Sequence, residues 1–184
     1  MSLSRWRQYL NNELIPGFEN SLKVVEPKVL DIGKSTSWNY KPFFPDSHFI
    51  VSDINPNSGA DIIDDITDTT FDPNSFDGVI FNGVFEQIKS DIGAEGVYTF
   101  DNEGLIRDAL DNIRKILQKG GLLLFGAPGL YFPRYGKDRD TGRRLLSVKQ
   151  GIDLVRKAFK IVEVKAFYNN NDGLEYVYII GIKR

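Results

Sequence analysis

Short apolar runs that end in an acid, an asparagine or a proline recur along the chain: KVLDIG (28–33), HFIVSD (48–53), ADIIDD (60–65), FDGVIFN (76–82) and GLLLFGAP (121–128). Near-continuous apolar runs of this length mark parallel strands covered on both faces. Between and around them the period changes to that of helices. Leu3, Trp6, Leu10 and Leu14 predict an amphipathic helix ended by Pro16-Gly17. Asn102 caps a second helix, 103–118, with Ile106, Leu110, Ile113 and Leu117 on one face and Lys119-Gly120 closing it. Ser147 and Gln150 form a capping-box pattern before Ile152, Val155 and Phe159, so a third helix runs to about 159. KIVEVKAFY (160–168) alternates as a strand near a sheet edge does. NNNDG (169–173) is turn chemistry, and LEYVYIIGIK (174–183) is a last strand.

Strands separated by crossovers build a parallel α/β sheet, and the short NNNDG connection forces the last two strands to be antiparallel. The expected fold is therefore a Rossmann-like three-layer sandwich: a mostly parallel seven-stranded sheet with an antiparallel C-terminal hairpin. One connection departs from the pattern. NYKPFFPDS (39–47) carries Pro42 and Pro45, so the first crossover is expected to be short or a loop rather than a long helix, with Trp38 and Tyr40 near the ligand site.

Composition narrows the picture. The 184 residues suit a single domain, with 1–24 as a helical segment packed on it. A net charge of −2 gives no support to nucleic-acid binding. With no cysteine and one histidine, neither disulfides nor a metal site is expected. His48 opens the second strand at its amino end and reads as a surface residue. No apolar run is long enough to span a bilayer, and the first residues lack a signal-peptide core, so a cytoplasmic protein is expected. A membrane-surface role for the first helix is weaker than packing on the domain's own sheet edge, because its basic face is small.

In open α/β sheets, ligands bind outside the carboxyl ends of the strands. There the chain places Asp31 and Gly33; Asp53 and Ile54; Asp64, Asp65 and Ile66; Asn82, Gly83 and Val84; and Gly126-Ala127-Pro128. Asp53, about twenty residues past the first glycine turn, is spaced to accept both hydroxyls of a ribose. Asp65 suits a purine amino group with Ile66 on the ring, although Asp61, Asp64 and Asp68 leave the choice of acid open.

The set VLDIG, VSDINP, ADIIDDITD, FDGVIFNGVFEQI and LQKGGLLLFGAP resembles the class I S-adenosylmethionine-dependent methyltransferases, most of all the broad group written methyltransferase type 11, over about residues 28–128. The resemblance implies S-adenosylmethionine as cofactor. Asp31 and Gly33 would border its methionine part, Asp53 the ribose, Asp65 with Ile66 the adenine, and Asn82, Gly83 and Val84 the reactive methyl. Two departures stand out. Ser35 and Ser37 occupy positions where the family usually has glycine, and Glu86-Gln87 stands where Glu-His is common. A dinucleotide needs those glycines for the close approach of its pyrophosphate; a sulfonium cofactor carries no phosphate. The turn Gly33-Lys34-Ser35 therefore remains a cofactor loop, with serine offering a hydroxyl to the methionine carboxylate or ammonium.

Methyl transfer from a sulfonium needs alignment and water exclusion more than a universal catalytic residue. Glu86, Tyr131 and Tyr135 are the candidate bases, with Glu86 the expected catalytic residue. Tyr131, Arg134 and Tyr135, in the basic stretch 129–144, are the candidate substrate contacts, and 89–102 reads as a lid. The expected function is methyl transfer to a small or medium-sized acceptor such as a sugar or other metabolite. The alternative is a non-catalytic binding or scaffold protein of the same fold. A nicotinamide dehydrogenase is disfavoured because the G-x-G-x-x-G turn is absent.

Overall fold

The computed structural model describes residues 5–34, 39–84, 88, 103–128, 148–168 and 174–184. Seven strands form one sheet: β1 (Lys28–Ile32), β2 (His48–Asp53), β3 (Ile62–Ile63), β4 (Phe76–Asn82), β5 (Leu117–Pro128), β6 (Lys160–Tyr168) and β7 (Leu174–Ile182). Their order is β3-β2-β1-β4-β5-β7-β6. The pairs β3–β2, β2–β1, β1–β4 and β4–β5 are parallel, while β7 runs antiparallel to both β5 and β6. The strand order reverses between β1 and β4, which opens a crevice at their carboxyl ends.

Alternation along the strands sorts the core into two layers. Leu30, Ile32, Val79, Phe81, Leu123, Phe125, Val177 and Ile179 face the helices α3 (Glu103–Ile116) and α4 (Val148–Ala158). Ile106, Leu110 and Ile113 of α3 and Leu154 and Val155 of α4 are buried against them, as their helical spacing requires. On the opposite face Val29, Val51, Ile80, Leu122, Leu124, Tyr176, Tyr178 and Ile180 are covered by the segment before β1.

That segment differs from its sequence reading in two ways. It runs past Pro16-Gly17, as α1 (Arg5–Tyr9), a π-helical turn (Leu10–Leu14) and α2 (Ile15–Ser21). The Ile15 N–H reaches back to the Leu10 carbonyl, and the widened turn admits the proline ring and its missing N–H at the start of α2. It also covers a face of the sheet, not an edge. Trp6, Leu10, Leu14, Ile15, Phe18 and Leu22 are all buried, and Gly78 of β4 lets Phe18 and Leu22 approach the backbone.

Between β1 and β2 the described residues form only a three-residue 3-10 turn, Lys41–Phe43, in keeping with Pro42 and Pro45. Tyr40 and Phe44 from this connection join the core beside the first helical segment. Two strand limits also moved. The third strand contracts to Ile62–Ile63, flanked by Asp61, whose carboxylate accepts from the Val51 N–H of β2, and Asp64, whose carboxylate accepts from the Thr70 N–H. The fifth strand begins at Leu117, inside the expected helix, where Leu117 pairs with Phe76. The expected helix caps Asn102 and Ser147 lie outside the described residues.

Trp6 is 4 % exposed and stacks on Tyr176 with ring centroids 4.5 Å apart and planes 7° apart. Trp6→Ala should cost about 3–5 kcal/mol of stability, the usual range for truncating a buried aromatic. Urea unfolding of the variant against the parent measures this. A loss below about 1 kcal/mol would show that the segment is only loosely attached.

Candidate functional site

The crevice at the β1–β4 reversal brings together Asp31, Gly33, Lys34, Asp53, Asn82, Gly83 and Val84. Three acids near it sit in three different environments. Asp31 is 7 % exposed, and among the described residues no hydrogen bond reaches its carboxylate. Burial raises its carboxyl well above the ordinary range, and the nearby Lys34 charge pulls it partly back.

Asp53 ends β2 with both oxygens aimed by the backbone. Oδ2 accepts from the Lys34 N–H at 2.7 Å and Oδ1 from the Asn55 N–H at 2.7 Å. Each oxygen keeps a second lone pair, so the carboxylate is held ready for two further donors. Ile54, beside it, is 65 % exposed. The third acid, Asp64, is buried and committed to structure: it accepts from Thr69 Oγ1, Thr70 N and Thr70 Oγ1 at 2.6–3.0 Å.

These bonds sort the acid cluster that the sequence left open. Asp61 Oδ2 accepts from the Val51 N–H, which fixes it to β2. Asp65 caps the 3-10 turn Ile66–Asp68 through Oδ1, which accepts from Thr67 N and Thr67 Oγ1. Its Oδ2 takes no hydrogen bond among the described residues. Ile66 is 6 % exposed and belongs to the helix-side core, where Asn112 holds its carbonyl. The exposed apolar side chains beside Asp53 are Ile54 and Ile63.

Gly33 has φ +89°, and a Cβ there would strike Val84. Its N–H bonds the Ser52 carbonyl at 2.7 Å, which ties the turn to β2. Gly83 has φ +70° and bonds the Gly126 carbonyl at 3.0 Å. Asn82 lies between two phenols: its Nδ2 donates to Tyr40 Oη at 2.5 Å, and its Oδ1 accepts from Tyr176 Oη at 2.9 Å. Sequence reasoning missed Tyr176 altogether. It lies 94 residues beyond Asn82, and only the β5–β7 register brings it there.

His48 is exposed at the amino end of β2, away from this site. Ser35, Trp38, Glu86, Tyr131, Arg134, Tyr135 and the segment 89–102 lie outside the described residues. Among the described residues no group of three His, Cys, Asp or Glu side chains is placed to hold a metal, and no helix is long and apolar enough to cross a membrane.

No family model matches the chain. No curated protein matches it either. Solved structures do. The N-methyltransferase NodS from Bradyrhizobium japonicum WM9 superposes with a TM-score of 0.68 at 17% identity, over 98% of each chain. NodS has also been solved in complex with S-adenosyl-L-homocysteine. The PH0226 protein from Pyrococcus horikoshii OT3 gives a TM-score of 0.68 at 14% identity, covering 98% of this chain and 92% of that one. The [4+2]-cyclase SpnF gives 0.64 at 12% identity, over 92% and 80%. The chain therefore has the Rossmann-like fold of the class I S-adenosylmethionine-dependent methyltransferases.

Asp31 offers a stability test independent of any ligand. Its raised carboxyl means that the folded protein holds this proton more tightly than the unfolded chain does. Folding stability therefore falls as pH rises from the ordinary carboxylate value through the raised one. Asp31→Asn removes the penalty. Its melting temperature should exceed the parent's by several degrees at neutral pH, and the gap should close in acid. A pH series of thermal melts measures the difference.

Proposed function

We propose that the chain binds S-adenosylmethionine in the β1–β4 crevice and transfers its methyl group to a small or medium-sized acceptor, acting as one domain in which residues 5–21 form the second covering layer. The observation that carries this reading is Asp31, a buried carboxylate without a hydrogen-bond partner among the described residues. Such a group is costly unless a cation meets it. An amino acid's ammonium is a cation of the right kind, and Asp53, one strand away, has two lone pairs for vicinal hydroxyls. An amino acid joined to a ribonucleoside satisfies both demands.

When bound, the cofactor supplies an electrophilic methyl on a sulfonium. The protein's own residues bind and orient. Asp31 takes the ammonium, Asp53 the ribose hydroxyls, and Ile54 gives the adenine an apolar flank, with Asp65 Oδ2 as acceptor for its amino group. Gly33 and Val84 close the turn under the amino-acid part, with Lys34 and Ser35 continuing it. Asn82 and Gly83 border the transfer site. Tyr40 is excluded as a general base: burial and the Asp31 charge hold its phenol protonated far above neutral pH, against the Asn82 hydrogen bond. Glu86 is the proposed base where the acceptor needs one, and Tyr131, Arg134 and Tyr135 are the proposed acceptor contacts.

SpnF shows that a [4+2]-cyclase also adopts this fold, so the acids and not the fold support the activity. Calorimetric titration with S-adenosylhomocysteine tests the assignment. The parent should bind, and Asp53→Ala should weaken binding roughly 10- to 100-fold, the loss of one to two charge-assisted hydrogen bonds. No heat at millimolar ligand would sink the reading and favour the scaffold alternative.

A further inference from the structure

The chain contains one Asn-Gly pair, Asn82-Gly83, at the end of β4. In an open peptide this pair readily loses its side-chain ammonia, because glycine has no Cβ to shield its nitrogen or restrict its backbone. The Gly83 nitrogen gives up its proton and bonds to Asn82 Cγ. The Cγ–Nδ2 bond then breaks, and ammonia leaves with a proton. Water opens the resulting cyclic imide at either carbonyl. The product is an aspartate, or its isomer with the backbone routed through the side chain. Water is the only co-reactant, and Asn82 is only partly buried.

Contacts around this pair hold it in a form that does not react. The Gly83 N–H donates to the Gly126 carbonyl at 3.0 Å, which keeps its proton in place. Asn82 Oδ1 accepts from Tyr176 Oη at 2.9 Å, and Nδ2 donates to Tyr40 Oη at 2.5 Å. A carboxamide bonded at both ends resists turning its carbon onto the next nitrogen. Gly126 completes the hold, since a Cβ there would collide with Asn82 Oδ1. The stack of Trp6 on Tyr176 fixes one of the two phenols. The phenols lie 42 residues before and 94 residues after Asn82, so the fold and not the local sequence supplies this protection.

We propose that Asn82-Gly83 is a self-modification site held closed by Tyr40 and Tyr176, and that loosening either phenol starts its deamidation. The reaction replaces the amide donor to Tyr40 with a carboxylate. Asp31 pairs with Ile80, and residues two apart in a strand share a face, so the new charge arises on the sheet face that carries Asp31. Two like charges there oppose each other. The modification therefore alters the crevice whatever the crevice binds.

Peptide-mapping mass spectrometry of the whole protein, held at mildly alkaline pH, follows the change at Asn82 with time. Asn74, whose carboxamide accepts from Lys183 Nζ at 2.9 Å, is the internal reference for general opening. In the parent, Asn82 should react far more slowly when folded than in urea. Tyr176→Phe keeps the stack on Trp6, and Tyr40→Phe keeps the ring in the core. Each should raise the Asn82 rate about fivefold, the population shift expected from one lost hydrogen bond, and leave Asn74 unchanged. An unchanged Asn82 rate in either variant would overturn the proposal. So would a parent that reacts at Asn82 as fast when folded as in urea. A parallel rise at Asn74 would assign the effect to unfolding and overturn it as well. The readout needs no ligand, so its failure is separate from that of the cofactor reading.

Discussion

A parallel sheet is apolar on both faces, and each face must be covered. One face of this sheet is covered in the ordinary way, by helices α3 and α4 from the crossovers. The other is not, because the β1–β2 connection contains Pro42 and Pro45 and contributes only a three-residue turn among the described residues. The segment 5–21 fills that place. Without it Val29, Ile80, Leu122, Leu124 and Tyr178 would face water across the middle of the sheet. Its π-helical turn, the burial of Trp6 and the stack on Tyr176 all follow from this demand.

The same arrangement shapes the chemistry. On the covered face two buried phenols bond to one carboxamide. Asn82 is fixed by two phenols, one from the short crossover and one from the last strand. Asp31 has no such partner among the described residues, and burial raises its carboxyl well above the ordinary range.

Neighbouring acids show how environment divides roles among chemically similar side chains. Asp64 is saturated by two threonines and shapes the loop after β3. Asp61 braces β2. Asp53 is aimed by two backbone N–H groups yet keeps acceptor capacity. In the sequence they differ only by position. Gly33 keeps its requirement even though the glycines after it are replaced, since its positive φ and the press of Val84 admit no other side chain without strain.

Much of this protein was legible in its residue order. Apolar runs ending in acids define parallel strands. A short NNNDG connection allows only an antiparallel hairpin. The spacing from Gly33 to Asp53 places an acid at the tip of the next strand. These are local signals, and local sterics and periodicity decide them. Proline misled where a π-helical turn could absorb it, and strand limits shifted where side chains competed with the ladder. The network from Trp6 through Tyr176 and Asn82 to Tyr40 left no mark in the sequence. Its members are separated by up to 170 residues, and only the pairing of β5 with β7 and the covering of one sheet face bring them into contact.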